Sequence, residues 1–420
     1  MDIRKPRGTQ DILPKDIEKW NYVENTFKDV CSYYGFGEVR TPAFEYTELF
    51  TRGIGDTTDI VQKEMFTFNS KGSESLTLKP EGTAPVVRAY IENKLYAQPL
   101  PSKYFYNTPC FRYEKPQAGR LRAFHQFGIE IFGSDTASAD AEVIAVAMDF
   151  FERLGIAKNL ELRINSIGTV ESRKLYNGIL KEFLKDKYDV LCETCKSRYE
   201  KNPMRILDCK NESCNEHTKN APLIIDHLDE ESSLHMKKLK QYLKAMDIKY
   251  VVDPLIVRGL DYYTKTAFEI VSNDIGSQST VCGGGRYDGL IEDLGGPKIS
   301  GVGFGLGIER LIMTLESLGI EMKSLKPVEV YIASLGDDAD IMSFKLLAQL
   351  RSNNISCDKD HIGRSLKAQF KYADKINAKY TVVLGDDEIS NGLVMVKNMT
   401  DSSQTQVKIE DLIDYIKKNR

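Results

Sequence analysis

The chain has 420 residues, 41% hydrophobic and 28% charged, a composition typical of folded globular proteins rather than disordered or fibrous ones. Its length exceeds what one hydrophobic core usually supports, so more than one domain is expected. No apolar run is long enough for a membrane span, and residues 1–14 lack the apolar stretch of a signal peptide, so we expect a cytosolic protein without a membrane partner. The net charge of −4 disfavours nucleic-acid binding through overall charge but allows a local basic patch.

The first third of the chain alternates between helical and strand-like spacing of its apolar residues. The pattern predicts, in order, a helix at 16–34 closed by Gly35 and Gly37, a strand at 38–44 ending near Pro42, strand-like runs at 76–79 and 104–133, and a helix at 140–154. A polar, basic loop at 115–122 interrupts the longest strand-like run. The first third of the chain is therefore expected to combine helices with strands.

A second unit is predicted from residue 168. It contains helices at 170–187 and 233–246 and a cysteine-bearing stretch at 192–217, after which a glycine-rich strand pattern resumes at Leu255 and runs to a helix near Glu309. Beyond a predicted linker at Lys326-Pro327, the chain shows strands at 328–334 and 379–385, helices at 338–352 and 364–377, and a further strand between those helices. We therefore predict a core in two parts (1–167 and 249–325), an insertion (168–248) and a C-terminal α/β domain (326–420).

Several common catalytic signatures do not occur in this sequence. It has no G-x-x-x-x-G-K-[ST], so an ATP site here would not be a P-loop. It has neither G-x-S-x-G nor H-E-x-x-H, which removes the common serine hydrolases and zinc peptidases. No G-x-G-x-x-G follows a strand, so a dinucleotide-binding fold is unsupported.

Residues 301–307 place a glycine at every second position. In a strand, Gly301, Gly303, Gly305 and Gly307 would share one face, and a face without side chains allows a flat ligand to lie on the sheet. Arg310, at the start of the next helix, could stack on that ligand or reach a phosphate. The alternative is a strand whose glycines only permit close packing.

The stretch 110–130 has the character of a hairpin with a polar inner surface. Arg112 and Glu114 would share one strand face, as would Phe124 and Gln126, and Arg120 lies in the basic loop between them. Arginine interleaved with aromatic residues suits phosphate and base contacts. The alternative is a solvated hairpin whose charges face water.

These two stretches resemble known signatures. Arg112 with Glu114 resembles the second signature of class II aminoacyl-tRNA synthetases, and the glycine strand with Arg310 resembles the third. Residues 16–44 resemble the first signature, which forms the dimer interface in that family. The resemblance implies an α+β fold, in which an antiparallel-sheet catalytic core carries a mostly helical insertion and is followed by a C-terminal α/β anticodon-binding domain.

Two further blocks narrow the resemblance to the histidyl-tRNA synthetases of bacterial type. Residues 255–264 (LIVRGLDYYT) and 282–289 (CGGGRYDG) are similar to two blocks peculiar to that family. The implied reaction activates L-histidine with ATP to histidyl-adenylate and pyrophosphate and then transfers histidine to tRNA(His). The resemblance also implies Mg²⁺ bound with ATP and a homodimer. One departure is Lys115, where family members often carry arginine.

The resemblance also implies roles for individual residues. For ATP, it implies Arg112 on the α-phosphate, Glu114 on the adenine amino group, Arg120 on the γ-phosphate, and Phe124 and Arg310 on the two faces of adenine. For histidine, it implies Glu81, Gly82, Thr83, Arg112, Gln126, Glu130, Arg258, Tyr262, Tyr263 and Tyr287. The implied catalytic residues are Arg112, Gln126 and Arg258, with Arg258 bridging the substrate carboxylate and the α-phosphate where relatives of other specificity use a metal ion.

Four cysteines fall within 23 residues. Cys192 and Cys195 have zinc-ligand spacing, and Cys209 and Cys214 would complete a tetrahedral set. Against a zinc site, the surrounding sequence resembles the insertion of bacterial family members, which do not in general require zinc. A structural zinc is therefore an option rather than an expectation.

Two other functions remain open from the sequence. One is a catalytically silent paralogue, like the regulatory subunit of ATP phosphoribosyltransferase, although that protein would lack the C-terminal domain and parts of the binding constellation. The other is a class II enzyme for a different amino acid, which would have to explain Tyr263 and Tyr287.

Overall fold

A computed structural model describes residues 3–55, 58–209, 211–272, 280–322 and 328–419. They form two compact units, one within residues 1–322 and one within 323–420, and the predicted insertion at 168–248 belongs to the first. The predicted linker Lys326-Pro327 lies outside the described residues. No helix in the described ranges is both long and apolar enough to span a bilayer.

The first unit mixes helices and strands along the chain. Its helices are α1 (Pro14–Tyr33), α2 (Thr47–Ile54), α3 (Thr83–Glu92), α4 (Ala137–Arg153), α5 (Val170–Leu184), α6 (Glu193–Lys201), α7 (Glu212–Thr218), α8 (Glu230–Ala245), α9 (Leu290–Asp293) and α10 (Ile308–Ser317). Its strands are β1 (Gly37–Glu38), β2 (Phe44–Tyr46), β3 (Phe66–Asn69), β4 (Ser75–Leu78), β5 (Ser102–Phe111), β6 (Ala123–Phe132), β7 (Leu160–Ser166), β8 (Val251–Val252), β9 (Thr264–Ser272), β10 (Thr280–Arg286) and β11 (Gly301–Gly307).

A large sheet forms the centre of this unit. Its strand order in the described chain is β1-β5-β6-β11-β10-β9-β7-β8, antiparallel throughout except for the outermost pairs β1–β5 and β7–β8. A smaller antiparallel sheet has the order β2-β4-β3. The predicted antiparallel core is therefore confirmed, and its long middle strands carry the residues described below.

One face of the large sheet is covered by helices because their apolar residues recur every three or four positions. In α1, Trp20, Val23, Phe27 and Val30 are buried, and Phe27 stacks on Phe127 of β6 at 4.4 Å between ring centroids. Ile17, near the start of the helix, is 38% exposed.

A buried ion pair attaches α4 to the sheet. Asp140 of α4 and Arg286 of β10 are both fully buried, and Arg286 Nε lies 3.1 Å from Asp140 Oδ2. His235 of α8 approaches Asp140 with its Nε2 at 3.2 Å. The Arg286 guanidinium more than offsets the effect of burial and holds the pKa of Asp140 below its usual range.

Two of the strand predictions were wrong in extent. The predicted strand at 38–44 is split into β1 and β2, which pair in different sheets, and Thr41-Pro42 lies between them. Proline has no N–H to donate, so the chain leaves the ladder there. The strand pattern predicted from Leu255 begins only at Thr264, and residues 253–263 form an irregular segment that carries Arg258.

The second unit is a five-stranded sheet flanked by helices, as predicted for an α/β domain. Its elements are β12 (Val330–Ser334), α11 (Asp337–Ser352), β13 (Cys357–Lys359), α12 (Leu366–Lys375), β14 (Tyr380–Leu384), α13 (Asp386–Asn391), β15 (Leu393–Asn398), β16 (Gln404–Lys408) and α14 (Leu412–Lys418). The described strand order is β13-β12-β14-β15-β16, with β12 parallel to β13 and β14 and the last pairings antiparallel. The sequence prediction did not include β15 and β16.

Candidate active site

A row of glycines runs across the open face of the large sheet. Gly283 of β10, Gly305 of β11 and Gly128 of β6 are directly opposed in register. The row ends in Glu269 of β9 on one side and Tyr106 of β5 on the other. Directly opposed residues share a face in antiparallel pairing, so the glycines form a floor between two functional side chains.

Other side chains occupy part of this floor. A β-carbon at Gly128 would collide with the Tyr106 ring, and one at Gly283 would collide with the Arg258 guanidinium. A β-carbon at Gly305 would collide with the Gln126 amide nitrogen. These three glycines are therefore needed because the side chains of Tyr106, Arg258 and Gln126 lie directly against the sheet.

The alternating glycines of β11 have two different surroundings. Side chains at Gly301 and Gly303 would collide with Tyr287 and Glu130, whereas nothing lies within 4 Å of the position a β-carbon would take at Gly307. Only the Gly305–Gly307 end lines the open cleft. Both sequence interpretations hold in part, because one end of the strand permits close packing and the other leaves space for a ligand.

Arg258 enters the cleft from the irregular segment before β9. Its guanidinium forms an ion pair with Glu269 and lies 5.7 Å from the Tyr263 ring centroid. Burial lowers the pKa of Arg258, but the Glu269 carboxylate outweighs burial and raises it overall. Thr280 donates to the second oxygen of Glu269 at 2.9 Å, so Glu269 is held on both sides.

The hairpin of β5 and β6 supplies further cations. Arg112, just after β5, donates to the carbonyl of Pro80 at 2.8 Å and lies 5.4 Å from the Phe124 ring centroid. In the loop, Arg120 donates to Glu114 at 3.0 Å, and Glu114 is also 3.9 Å from the Arg112 guanidinium. Arg112, Glu114 and Phe124 therefore lie together, although β5 ends at Phe111.

Arg310 closes the cleft on the side of α10. It donates to the carbonyl of Thr280 at 2.7 Å. Burial and the neighbouring cations Arg120 and Arg112 lower its pKa, with Glu114 opposing this shift. The grouping of Arg112, Arg120 and Arg310 around Glu114 favours the binding of an anion.

The start of α3 forms another wall. Glu81 is buried and accepts from the backbone N–H groups of Thr83 at 2.7 Å and Ala84 at 2.8 Å, so it caps the helix. Burial raises the pKa of Glu81, and the backbone N–H groups oppose that shift. Gln126 accepts from the Gly82 N–H at 2.9 Å, which orients its amide nitrogen toward Gly305.

Four tyrosines and a glutamate form the inner end of the site. Tyr262 and Tyr263 line the cleft, with ring centroids 4.7 Å apart. Tyr287 donates to Glu130, and Tyr106 donates to the other Glu130 oxygen at 3.3 Å. Burial raises the pKa of Glu130 to about 8, against the opposing effect of its hydrogen bonds.

The structure brings most of the predicted site residues to one cleft. Those that line it are Glu81, Thr83, Arg112, Glu114, Arg120, Phe124, Gln126, Arg258, Tyr262, Tyr263 and Arg310. Glu130 and Tyr287 are buried behind this lining, and Gly82 lies beneath the Tyr106 ring.

Sequence reasoning missed two residues, Tyr106 and Glu269. Both occupy strand positions with nothing unusual around them in the sequence. The available signal was their register with the glycine row, which requires knowing the strand pairing.

The geometry agrees with comparisons to known proteins. A family model described as "Histidyl-tRNA synthetase" matches residues 8–311. The chain belongs to the histidyl-tRNA synthetase family. Residues 329–419 match a model described as "Anticodon binding domain". The resemblance found in the sequence is thereby confirmed, as is the assignment to the aminoacyl-tRNA synthetases.

Full-length relatives are similar throughout. A histidine–tRNA ligase of Clostridioides difficile is 60% identical over 418 residues, covering 99% of both chains. One from Caldanaerobacter subterraneus subsp. tengcongensis is 57% identical over 417 residues, covering 99% of this chain and all of the relative. The crystal structure of apo Staphylococcus aureus histidyl-tRNA synthetase superposes with a TM-score of 0.86 at 44% identity, covering 99% of this chain and all of that one. Identity of 60% to a histidine–tRNA ligase over both units argues against the silent paralogue.

Proposed function

We propose that this chain activates L-histidine with ATP, giving histidyl-adenylate and pyrophosphate, and then transfers histidine to the 3′ end of tRNA(His). The observation that carries the proposal is the cleft itself. Among the described residues, four arginines converge there on a glycine floor: Arg112, Arg120, Arg258 and Arg310. Beside them lie a buried glutamate and two tyrosines suited to an amino acid.

In this proposal ATP occupies the Arg112–Arg310 side of the cleft. Arg112 holds the α-phosphate and Arg120 holds the γ-phosphate. When ATP binds, Arg120 therefore leaves Glu114 for the phosphate, and Glu114 becomes available to the adenine amino group. Phe124 and Arg310 take the two faces of adenine, next to the open Gly307 end of β11. Mg²⁺ enters with ATP as part of the substrate and carries charge on the departing pyrophosphate.

Histidine occupies the inner side of the cleft. Glu81 and Thr83 take the ammonium group with help from Gln126, whose amide is already oriented by Gly82. Tyr262 and Tyr263 wall the side-chain pocket, and Glu130 with Tyr287 receives the imidazole, whose two nitrogens can demand an acceptor and a donor together. A pocket that pairs both nitrogens rejects analogues that leave buried groups unsatisfied.

The chemistry needs cations more than it needs a base. The histidine carboxylate is already ionised at neutral pH, so it attacks the α-phosphorus directly and pyrophosphate leaves. Two anions must approach each other, and fixed guanidinium groups relieve that repulsion as charge builds on the phosphorus. Arg258 is the proposed contact with both reactants, which is supported by its position in the cleft against Gly283 of the glycine floor.

Histidine-dependent exchange of pyrophosphate into ATP tests the proposal. We expect exchange with L-histidine and none above background with the other amino acids, followed by histidine-dependent charging of tRNA(His). Arg153→Ala removes an exposed arginine of α4 that is paired with Asp149 and lies over the Tyr33 ring, away from the residues of the cleft, and serves as a matched control that should keep full activity. Exchange with another amino acid but not with histidine would refute the substrate assignment.

The C-terminal unit is the proposed contact with the tRNA anticodon. In α12, Lys367, Lys371 and Lys375 are exposed on the helix surface. By contrast, Arg364 just before the helix is paired with Asp360 at 2.6 Å. The three exposed lysines are available for contacts with tRNA phosphates. Weaker charging with unchanged pyrophosphate exchange in a triple Lys→Ala variant would support the contact.

A homodimer is proposed from the first signature and from an exposed aromatic face. Phe44 and Tyr46 of β2 and Phe68 of β3 are 50%, 59% and 44% exposed on the small sheet. Phe44 and Phe68 contact each other edge to face at 6.4 Å. Sedimentation equilibrium should give the dimer mass, and Phe44→Lys should shift it toward the monomer.

A further inference from the structure

Four cysteines from three short segments of the chain converge in the fold. Cys192 immediately precedes α6 and Cys195 lies in its first turn, whereas Cys209 follows the 3-10 helix Pro203–Ile206 and Cys214 lies in α7. Their four sulfur atoms all lie within 4.8 Å of one another, and none of them forms a disulfide. The start of α6, the chain after the 3-10 helix and α7 thus each contribute one or two thiols to the same cluster.

The spacing fits a tetrahedral metal site. Zinc–sulfur bonds of about 2.3 Å place the sulfurs of a regular tetrahedron about 3.8 Å apart. The Sγ atoms of Cys192 and Cys209 are 3.9 Å apart. A four-iron cluster would hold the sulfurs farther apart, because each binds a different iron atom. Two disulfides would need only pairwise proximity, and would not account for the convergence of all four atoms.

Backbone N–H groups support the sulfur atoms. The N–H of Cys192 donates to Cys214 Sγ at 3.3 Å, and the N–H of Asn211 donates to Cys209 Sγ at 3.5 Å. Such donors stabilise the negative charge of metal-bound thiolates and fix their orientation. Cys195 and Cys214 are fully buried, and Cys192 and Cys209 are partly exposed, so an ion could enter from one side.

We propose that Cys192, Cys195, Cys209 and Cys214 bind one Zn²⁺ ion as a closed structural site. Four protein ligands leave no open position for catalysis. On loading, each thiol gives its proton to solvent and the sulfur binds the ion as thiolate, with no change in oxidation state. The sequence alone left this site open, and the convergence of the four sulfurs decides in its favour.

The site would brace the segment that carries Arg258. The chain leaving α6 contacts that segment directly, since Asn202 donates to Asp261 at 2.9 Å and Arg205 donates to the carbonyl of Gly259 at 3.0 Å. Residues 259–261 connect Arg258 to Tyr262. An ion that fixes the start of α6 therefore limits the movement of residues on the floor of the cleft.

Metal analysis of the full chain, purified without chelators and without a metal-affinity tag, tests the proposal. We expect about one zinc per chain, together with the visible spectrum of tetrahedral cobalt thiolate after reduced, metal-free protein is loaded with Co²⁺. Cys192→Ser and Cys209→Ser, at the two partly exposed positions, should lose most of the metal. Cys357→Ser is the matched control: this cysteine lies in the second unit, its sulfur faces the Leu347 carbonyl at 3.6 Å, and zinc content should not change.

Wild-type protein keeps the test decisive if the variants fold poorly. Less than about 0.1 equivalent of zinc, with no cobalt–thiolate spectrum after reduction and loading, would overturn the proposal. Protein with zinc should resist proteolysis within residues 192–217, and removal of zinc should expose this stretch reversibly. Histidine-dependent exchange by a protein without metal-binding capacity would refute the zinc site while leaving the proposed reaction intact.

Discussion

Replacing Arg258 by alanine should slow adenylation far more than it weakens histidine binding. The guanidinium lies on the floor of the cleft beside Gly283 and is paired with Glu269. In the proposed reaction it is the cation that contacts both the histidine carboxylate and the α-phosphate. Its contribution therefore grows as the two anions approach, and interactions that are stronger in the transition state act on rate rather than on affinity.

The expected size follows from electrostatics. Two unit charges about 3.5 Å apart repel by roughly 5 kcal/mol at an effective dielectric constant near 20. If no cation offsets this repulsion, the rate of adenylation should fall by more than about three orders of magnitude. The Arg258→Ala variant also leaves Glu269 without its cation, so part of the loss would come from a new negative charge near the reactants. Arg258→Ala combined with Glu269→Gln removes this second effect and should recover part of the rate.

Single-turnover formation of adenylate, with histidine affinity measured separately, provides the assay. Arg258→Ala should lower the rate constant about 1000-fold and weaken histidine binding less than about tenfold. Arg258→Lys keeps the charge but loses the planar fork, so it should fall between the alanine variant and wild type. Comparable losses in the rate constant and in histidine affinity would refute the reasoning and leave Arg258 with a merely positional role.

Two further predictions concern buried charges. Because the pKa of Glu130 is raised from its ordinary 4.5 to about 8, the folded state keeps a proton that the unfolded state loses, and this group's stabilising contribution falls as pH rises between those values. The free energy of unfolding of Glu130→Gln, measured in urea, should not show this fall as pH rises. If the wild type and the variant have the same pH dependence, the raised pKa of Glu130 is contradicted. Asp140→Asn leaves the buried Arg286 guanidinium with Asp288, at 3.1 Å, as its remaining carboxylate partner and should cost about 3 kcal/mol in the same assay, whereas a cost under about 1 kcal/mol would show that the Asp140–Arg286 pair contributes little.

Local sequence patterns predicted the helices and strands whose position depends on burying a single face of that element. The spacing of Trp20, Val23 and Phe27 is sufficient to predict α1, because a helix buried on one side repeats every three to four residues. The separation of β1 from β2 was not predictable in this way. The two strands pair with β5 and β4 respectively, and the choice of partner depends on residues far along the chain.

The candidate active site likewise contains residues that the sequence predicts and residues that only the fold identifies. Arg112, Arg310 and the glycines of β11 could be found from the sequence, since each belongs to a short motif with a chemical purpose. Tyr106 and Glu269 could not, because their importance comes from strand register. The cysteines are intermediate: spacing identified the Cys192–Cys195 pair, but only the fold brings Cys209 and Cys214 to it.

The two ends of β11 constrain how a protein of this design can change over evolution. Any side chain at Gly303 would displace Glu130 from behind the amino-acid pocket, whereas one at Gly307 would extend into the space proposed for the nucleotide. A lineage acquiring a different amino-acid specificity would therefore have to alter the neighbouring strands before β11 could accept a larger residue. Whether a substitution at Gly307 is tolerated would depend on the space that the nucleotide needs, and the nucleotide is the same in every such lineage.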